Sequence, residues 1–191
     1  MTQFALPATP ETPPVELLDP TPEGMRRALG AFASGVTVVT AVADGEPVGF
    51  TCQSFASVSL EPPLVMFCAG REGRAWGRIR SAEALCVNVL AEDQIDVCGR
   101  FGSRTGARFD GLDHELSDWG APALPGALLR VHCSVTDVHV AGDHDIAVCH
   151  VLGLELGTEV PPLVFHRGRF GLRTQRPVQA ADLWGWNDRW G

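Results

Sequence analysis

The segment Ser34–Pro63, SGVTVVTAVADGEPVGFTCQSFASVSLEPP, decides the fold of this chain. Two runs rich in β-branched residues, Val36–Val42 and Pro47–Thr51, flank the dipeptide Asp44-Gly45. Asp-Gly between such runs is a strong hairpin signal, because glycine tolerates a positive φ. We therefore predict a β-hairpin whose turn is Asp44-Gly45.

A run of hydroxyl-bearing and small side chains, Thr51–Ser59, follows this hairpin and ends before Pro62-Pro63. Hydroxyls and main-chain N–H groups on a strand edge suit a polar, planar ligand that needs hydrogen bonds and little bulk beside it. An ordinary strand–loop–strand, whose serine and threonine side chains bond turns, accounts for the same residues. Taken alone, the run leaves both interpretations open.

Composition places the chain among globular proteins. Its 191 residues suit one domain, and 45% hydrophobic with 20% charged residues is ordinary. The formal net charge of -8 favours neither nucleic acid nor an anionic membrane as a partner. The amino terminus lacks the features of a signal peptide, and no apolar run is long enough to span a bilayer. We expect a cytoplasmic protein.

The cysteines and histidines give no sign of a metal site. Six cysteines are scattered singly, without a C-x-x-C pair, and we interpret them as reduced core residues. The histidines show no metal-ligand spacing. Asp143 and His144 could suggest an acid–base pair, but we expect adjacent turn residues to point in different directions. No P-loop, G-x-G-x-x-G or G-x-S-x-G motif is present.

The chain divides into three parts. Residues 1–22 are rich in proline and predict an extended or disordered tail. Residues 23–173 form the predicted domain, and its first helix is expected over Glu23–Ala33, ended by Gly35. Residues 174–191 form a tryptophan-rich extension, which we expect to pack on the domain or on a second subunit.

Strand patterns dominate the predicted domain. Helices are expected over Arg74–Ser81 and Glu92–Phe101, and residues 102–125 read as a long loop. Further strands are predicted over the ranges 64–68, 84–90, 127–140, 145–156 and 163–166. Many short strands with few short helices predict a mainly β protein built as a closed or nearly closed antiparallel barrel.

Several of these segments together resemble one family. They are Ser34–Thr40, Gly49–Val65, Val87–Leu90 with Gln94, Arg108-Phe109, Gly142–His144 and Arg167–Gly171. Each motif alone is weak, but in this order they resemble the flavin reductase family of short-chain split-barrel proteins, over roughly residues 25–171. These proteins are the reductase components of two-component flavin monooxygenases.

The resemblance implies a fold and a function. The fold would be an antiparallel Greek-key split β-barrel with a few short flanking helices, assembled as a homodimer. It would bind FMN or FAD near the dimer interface. NADH or NADPH would reduce the flavin, which would then diffuse to a partner monooxygenase. The rival hypothesis is a flavin-fold protein recruited to a non-redox or binding role in a biosynthetic pathway.

The resemblance also assigns site residues by position. His144 would lie where the nicotinamide stacks, as the catalytic residue. The residues implied beside the isoalloxazine, along the ribityl chain or approaching from the last strand are Gly35, Val36, Thr37, Thr51, Cys52, Gln53, Ser54, Ser57, Val58, Ser59, Arg169 and Phe170.

One departure from the family concerns the flavin phosphate. A serine and a threonine usual before the short helix are replaced here by Gly73 and Ala75. Main-chain N–H groups at the helix start can still bind a phosphate, and Arg71 and Arg74 could add charge. Loss of two charge-assisted hydrogen bonds predicts weaker binding, by about an order of magnitude or more. Weak binding suits an enzyme that uses flavin as a substrate.

Overall fold

The computed structural model describes residues 15–103, 108–157 and 159–171. These residues contain three helices and twelve strands. The helices are α1 (Pro22–Leu29), α2 (Arg74–Ile79) and α3 (Ile95–Gly102). The strands are β1 (Ser34–Gly35), β2 (Thr37–Ala43), β3 (Glu46–Cys52), β4 (Ala56–Leu60), β5 (Pro63–Gly70), β6 (Leu85–Val89), β7 (Glu115–Leu116), β8 (Pro122–Ala123), β9 (Leu129–Ala141), β10 (His144–Leu156), β11 (Val164–His166) and β12 (Arg169–Phe170).

The hairpin predicted from the sequence joins β2 and β3. Ala43 pairs with Glu46, so the turn has two residues. Its residues Asp44 and Gly45 have φ angles of 55° and 76°. Positive φ at both central positions is the turn geometry that matches the twist of the flanking strands. The prediction is confirmed.

The main sheet is antiparallel and has seven strands in the order β3-β2-β6-β9-β10-β5-β4. Neighbours in space are often distant in sequence, as in a Greek-key arrangement. The two arms of the sheet approach each other between β3 and β5. There the hydroxyl of Ser54 accepts a bond from the Cys68 N–H at 2.8 Å and donates to the Cys68 carbonyl at 3.1 Å. The predicted mainly β split barrel is confirmed.

The barrel interior is filled by large apolar side chains, among them Phe67, Trp76, Ile79 and Leu85. Phe67 packs edge-on against Trp76 with ring centres 5.6 Å apart. Trp76 and Ile79 come from α2, as the sequence predicted. The indole N–H of Trp76 donates to the buried carboxylate of Asp145 at 2.9 Å, so this polar group is satisfied inside the core.

All six cysteines are free thiols, and five of them are buried. Cys68, the sixth, is half-buried on β5. Burial raises the pKa of the Cys86 thiol to about 12. The Cys86 thiol is therefore protonated. The five buried cysteines are small packing residues, as the sequence suggested.

The helix ends differ from the predictions. α1 ends at Leu29, where Gly30 provides the cap, so the predicted continuation to Ala33 and the stop at Gly35 are wrong. Met25 and Leu29 of this helix are 46% and 61% exposed, and Phe32, beyond its end, is 79% exposed. α2 ends at Ile79 rather than Ser81, and α3 begins at Ile95 rather than Glu92.

The predicted long loop contains structure of its own. β7 and β8 pair within it. Trp119 stacks on the buried ring of His132, with centres 4.4 Å apart and planes 21° apart. None of the helices in the described part of the chain is long and apolar enough to cross a membrane.

Candidate active site

Two cavities meet at the seam between β3 and β5. The larger, of about 1300 Å³, extends from this seam along α1 to the turn between β11 and β12. The smaller, of about 410 Å³, lies between the end of β3 and the end of β5. Gln53, Ser54 and His144 line both cavities. A ligand in one cavity would therefore touch the same three residues as a ligand in the other.

Ser54 holds this junction in place. Its hydroxyl bonds both main-chain groups of Cys68, which fixes the chain after β3 against β5. The exposed side chain of Gln53 is thereby placed at the cavity surface. The structure brings these two predicted site residues together with His144, although β10, which carries His144, lies about ninety residues further along the chain.

His144 is the first residue of β10 and is about half exposed. Its Nδ1 lies 2.7 Å from Oδ1 of the preceding residue, Asp143. The expectation that these neighbours point in different directions is therefore wrong, because the turn of the hairpin folds the carboxylate back onto the ring. The hydrogen bond from His144, together with its positive charge when protonated, lowers the pKa of Asp143. Asp143 is thus a carboxylate at neutral pH.

Besides Ser54, two further predicted hydroxyls, those of Thr37 and Thr51, form hydrogen bonds within the protein itself. The Thr37 hydroxyl is buried and donates to the Cys52 carbonyl at 2.9 Å. The Thr51 hydroxyl donates to the Cys98 carbonyl at 2.9 Å, so this side chain faces α3. Thr51 and Cys52 still line the smaller cavity. Burial raises the pKa of the Cys52 thiol, so Cys52 contributes surface and no thiolate.

Gly35 and Val36 lie outside both cavities. Gly35 is exposed on β1, where it pairs with Val164, and Val36 is fully buried in a second core cluster. The neighbouring Ser34 lines the larger cavity instead. The predicted contact of Gly35 and Val36 with the isoalloxazine remains a prediction.

Ser57, Val58 and Ser59 lie on β4, the edge strand of the main sheet. A bulge interrupts the pairing between Ser57 and Ser59, and Val58 is 50% exposed. Edge bulges of this kind re-aim side chains. None of the three is among the described residues that line either cavity. Their predicted contact with the ribityl chain and phosphate remains a prediction.

The predicted phosphate region lies at the start of α2. Arg71 makes an ion pair with Asp145 at 3.5 Å, and its N–H donates to the Asp143 carbonyl at 3.0 Å. Arg74 is exposed as the first residue of α2. A Cβ on Gly73 would lie 2.8 Å from the Gly70 carbonyl oxygen, so this turn excludes a side chain at position 73. Ala75 is buried. The turn therefore leaves no room for a side-chain hydroxyl at position 73.

Arg169 and Phe170 form the short strand β12 and are exposed. The ring of Phe170 packs on Phe165, with centres 5.3 Å apart. Phe165 lines the larger cavity, so Phe170 supports the cavity wall from behind.

Several cavity residues were missed by the sequence analysis. The larger cavity is also lined by Arg26 and Arg27 of α1 and by Arg167 of the turn after β11, and the smaller one by Phe50 and Gly70. Arg26 and Arg27 could have been found from the sequence as two adjacent arginines in a short predicted helix. Arg167 belonged to a quoted motif, but no role was assigned to it.

The residues at the junction fit a flavin ring. They offer the amide of Gln53 and the imidazole of His144 beside the aromatic ring of Phe50, which suits a planar ligand with a polar edge. Gly70 lies beside His144, since a Cβ built on it would be 3.9 Å from Nε2 of that histidine, an ordinary contact distance.

Comparison with known proteins identifies the class. Residues 29–172 match the model of the flavin reductase like domain. The chain belongs to this family, which confirms the resemblance found in the sequence.

Three relatives illustrate the relationship. The chain is 46% identical over 160 residues to HsaB of Rhodococcus jostii, named the reductase subunit of a flavin-dependent monooxygenase, covering 83% of this chain and 82% of that protein. It is 44% identical over 146 residues to SmoA of Agrobacterium fabrum, named FMN reductase (NADH), covering 76% and 83%. The solved structure of SgcE6, an NADH:FAD oxidoreductase of Streptomyces globisporus in complex with NAD and FAD fragments, matches with a TM-score of 0.79, 34% identity, and 84% and 98% coverage.

The enzyme class predicted from the sequence, a flavin reductase, is confirmed by this membership. The predicted cofactors, FMN or FAD with a nicotinamide dinucleotide, are confirmed by the relatives, which use these two classes of molecule.

Proposed function

We propose that this protein is an NADH-dependent flavin reductase that delivers free reduced flavin to a partner monooxygenase. The observation that supports this best is the junction of the two cavities at Gln53, Ser54 and His144. Hydride transfer requires two planar groups in van der Waals contact, and rate comes from holding them in that arrangement. A junction lined by the same three residues from both sides suits such a pair.

The described residues supply binding and orientation. When bound, the flavin supplies hydride acceptance at N5. Gln53 would donate a hydrogen bond to a polar ring edge, and the Ser54 bonds to Cys68 keep the Gln53 segment at a fixed distance from β5. His144, held by Asp143, would face the nicotinamide. Neutral and main-chain donors near a ring that gains electron density stabilise it without a titrating acid.

Two properties of the relatives support the choice of cofactor and partner. SmoA and SgcE6 are named for NADH, which favours NADH over NADPH here. HsaB is named as the reductase subunit of a monooxygenase, which supports an oxygenase partner supplied with reduced flavin.

We further propose a homodimer in the cytoplasm. Apolar side chains are exposed at alternate positions near the end of β10, Leu152 by 38%, Leu154 by 65% and Leu156 by 87%. Exposed apolar surface of this extent is typical of an interface between subunits. Light scattering after gel filtration should give twice the 20.5 kDa mass of the chain. The free thiols suit a reducing compartment.

Steady-state oxidation of NADH, followed at 340 nm, tests the activity. The full chain should oxidise NADH when FMN or FAD is added and oxidise NADPH more slowly. A flavin-dependent monooxygenase is placed in a second chamber, behind a membrane that lets flavin pass but retains both proteins. It should form hydroxylated product if reduced flavin is released. Absence of flavin-dependent NADH oxidation would reject the proposal and favour the non-redox alternative.

A further inference from the structure

The larger cavity carries a concentration of positive charge that hydride transfer does not itself require. Among the described residues that line it, three are arginines, Arg26, Arg27 and Arg167, and one, Glu16, is acidic. The chain as a whole has a net charge of -8. A basic lining in an acidic protein raises the local concentration of an anionic ligand.

The three arginines come from two separate elements that are joined at this point. Arg26 and Arg27 lie in the last turn of α1. Arg167 lies in the turn between β11 and β12, and its N–H donates to the carbonyl of Gly30, the cap of α1, at 2.8 Å. The end of a helix favours basic residues in its own last turn. That preference does not account for Arg167, which lies on a different element.

The backbone of Arg167 supports a role for its side chain. Its φ is 49°, in a two-residue turn that glycine or asparagine fits with less strain. An arginine at such a position costs stability, and strain of this kind is often retained where a side chain serves a ligand. Arg167 is exposed and is one of the residues that line the cavity.

A carboxylate already lies against one of these arginines. The Oε2 atom of Glu16 is 2.5 Å from Nη2 of Arg27, and both side chains are 60% exposed. Exposed ion pairs are weak, so a ligand with higher charge can replace this carboxylate. A diphosphate carries more charge than a carboxylate and makes bidentate contacts with guanidinium groups.

From these observations, and on the basis of the proposed function, we infer that Arg26, Arg27 and Arg167 bind the diphosphate of a dinucleotide whose redox ring reaches the junction at His144. One cavity extends from the three arginines to His144, and its volume of about 1300 Å³ suits an extended ligand such as a dinucleotide. The diphosphate belongs to NADH or to FAD.

Substitution of the arginines tests the inference, with Arg80→Gln as the matched control. Arg80 is exposed after α2 and lies outside the described linings of both cavities. The double variant Arg26→Gln/Arg167→Gln should raise the KM of the dinucleotide by about three- to tenfold, as expected for partly exposed charged contacts, with kcat changed less than twofold. Glu16→Gln should lower the same KM, because it removes the competing carboxylate.

Two pairs of substrates distinguish the source of the diphosphate. If it belongs to NADH, the double variant raises the KM of NADH, with FMN as acceptor, more than that of reduced nicotinamide mononucleotide, which carries one of the two phosphates. If it belongs to FAD, the variant raises the KM of FAD more than that of FMN, which likewise carries one phosphate. Either result supports the inference. Unchanged KM values for all four substrates in an active enzyme would overturn it and leave the proposed function intact.

Calorimetric titration of ADP separates failure of the inference from failure of the proposed function, because it needs no hydride transfer. The wild-type chain and Arg80→Gln should bind ADP, and the double variant should bind it at least threefold more weakly. This result without NADH turnover would reject the reductase activity and keep the diphosphate site. Equal binding of ADP by all three proteins would reject the site.

Discussion

The imidazole of His144 is hydrogen-bonded to the carboxylate of Asp143, with Nδ1 and Oδ1 2.7 Å apart. This bond occupies one ring nitrogen and sets the orientation of the other, Nε2, which lies towards Gly70 at the wall of the smaller cavity. A carboxylate that fixes one nitrogen of a histidine controls which nitrogen is free for a ligand. Asp143 is therefore a positioning residue for His144.

Asp143→Asn tests this relationship. The variant keeps the size of the side chain and loses its charge, so kcat/KM for NADH should fall by about two- to tenfold. The KM of the flavin should change little. Because the hydrogen bond with His144 holds the pKa of Asp143 below its ordinary value, wild-type Asp143 is ionised over the whole assay range, and the loss should persist from about pH 5 to 9.

The matched control is Asp137→Asn, on an exposed position of β9 outside the described cavity linings. It should behave as wild type. Asp143→Asn with unchanged kcat and KM, at equal melting temperature, would remove Asp143 from the site.

Ser54 is predicted to be essential to the seam of the barrel. Ser54→Ala removes both hydrogen bonds to Cys68, leaving its main-chain groups without this partner, and should lower the free energy of unfolding by about 1–2 kcal/mol. The KM of the flavin should rise, because the Gln53 segment is released from β5. Ser54→Leu should abolish flavin binding, since a branched side chain would enter the junction.

Urea denaturation and flavin titration measure the two effects of the Ser54 variants. Ser81→Ala, at an exposed position after α2, serves as the control and should match wild type in both. Retained flavin affinity in Ser54→Leu would show that the flavin does not use this junction.

The fold could be predicted because its signals are local. Asp44-Gly45 between β-branched runs specifies one hairpin, and Trp76 and Ile79 are apolar residues at helical spacing in a short segment that is otherwise rich in arginine. These patterns depend on neighbours in sequence. Helix ends were less predictable, because caps such as Gly30 at the end of α1 compete with other glycines nearby.

The site was predicted in part, for a physical reason. Gln53, Ser54 and His144 were identified by resemblance, and the structure brings them together. Whether a hydroxyl faces a cavity or a carbonyl depends on tertiary packing, as Thr51 shows by bonding Cys98 on α3. The position of Arg167 at the larger cavity depends on the contact of its turn with Gly30, which no local pattern reveals.

The ring of Trp119 is predicted to leave room only for glycine at position 153. A Cβ built on Gly153 would lie 2.2 Å from Cη2 of the Trp119 ring. Gly153→Ala should therefore displace the indole from His132 and destabilise the protein by about 1–3 kcal/mol. Gly77→Ala, in α2 with open space around its Cβ position, is the matched control and should stabilise by about 0.5–1 kcal/mol.

Removal of the tryptophan provides a second check. In a Trp119→Ala background, Gly153→Ala should cost much less, because the clashing ring is gone, and urea denaturation of the four proteins measures this coupling. Equal costs in both backgrounds would show that the Trp119 contact does not determine residue 153.

Glu155 should make stability depend on pH. Its carboxylate accepts from Arg130 Nη1 at 2.8 Å and lies 2.7 Å from Nε2 of the buried His132. The hydrogen bond from Arg130, and then that from His132, lowers the pKa of Glu155. A carboxyl group whose pKa is lower in the folded state contributes stability above its unfolded pKa of about 4.3 and loses it as the pH falls through the folded value.

Glu155→Gln should therefore be less stable than wild type at pH 7, by about 0.5–1 kcal/mol because the pair is partly exposed. This difference should shrink as the pH falls below about 4, where wild-type Glu155 also becomes neutral. Urea midpoints between pH 7 and 3 measure it, with Glu83→Gln, at an exposed position before β6, as the control that shows little difference. An undiminished difference in stability at pH 3 would show that the charge of Glu155 does not stabilise this cluster. The geometry of its hydrogen bonds to Arg130 and His132 would then account for the stabilisation.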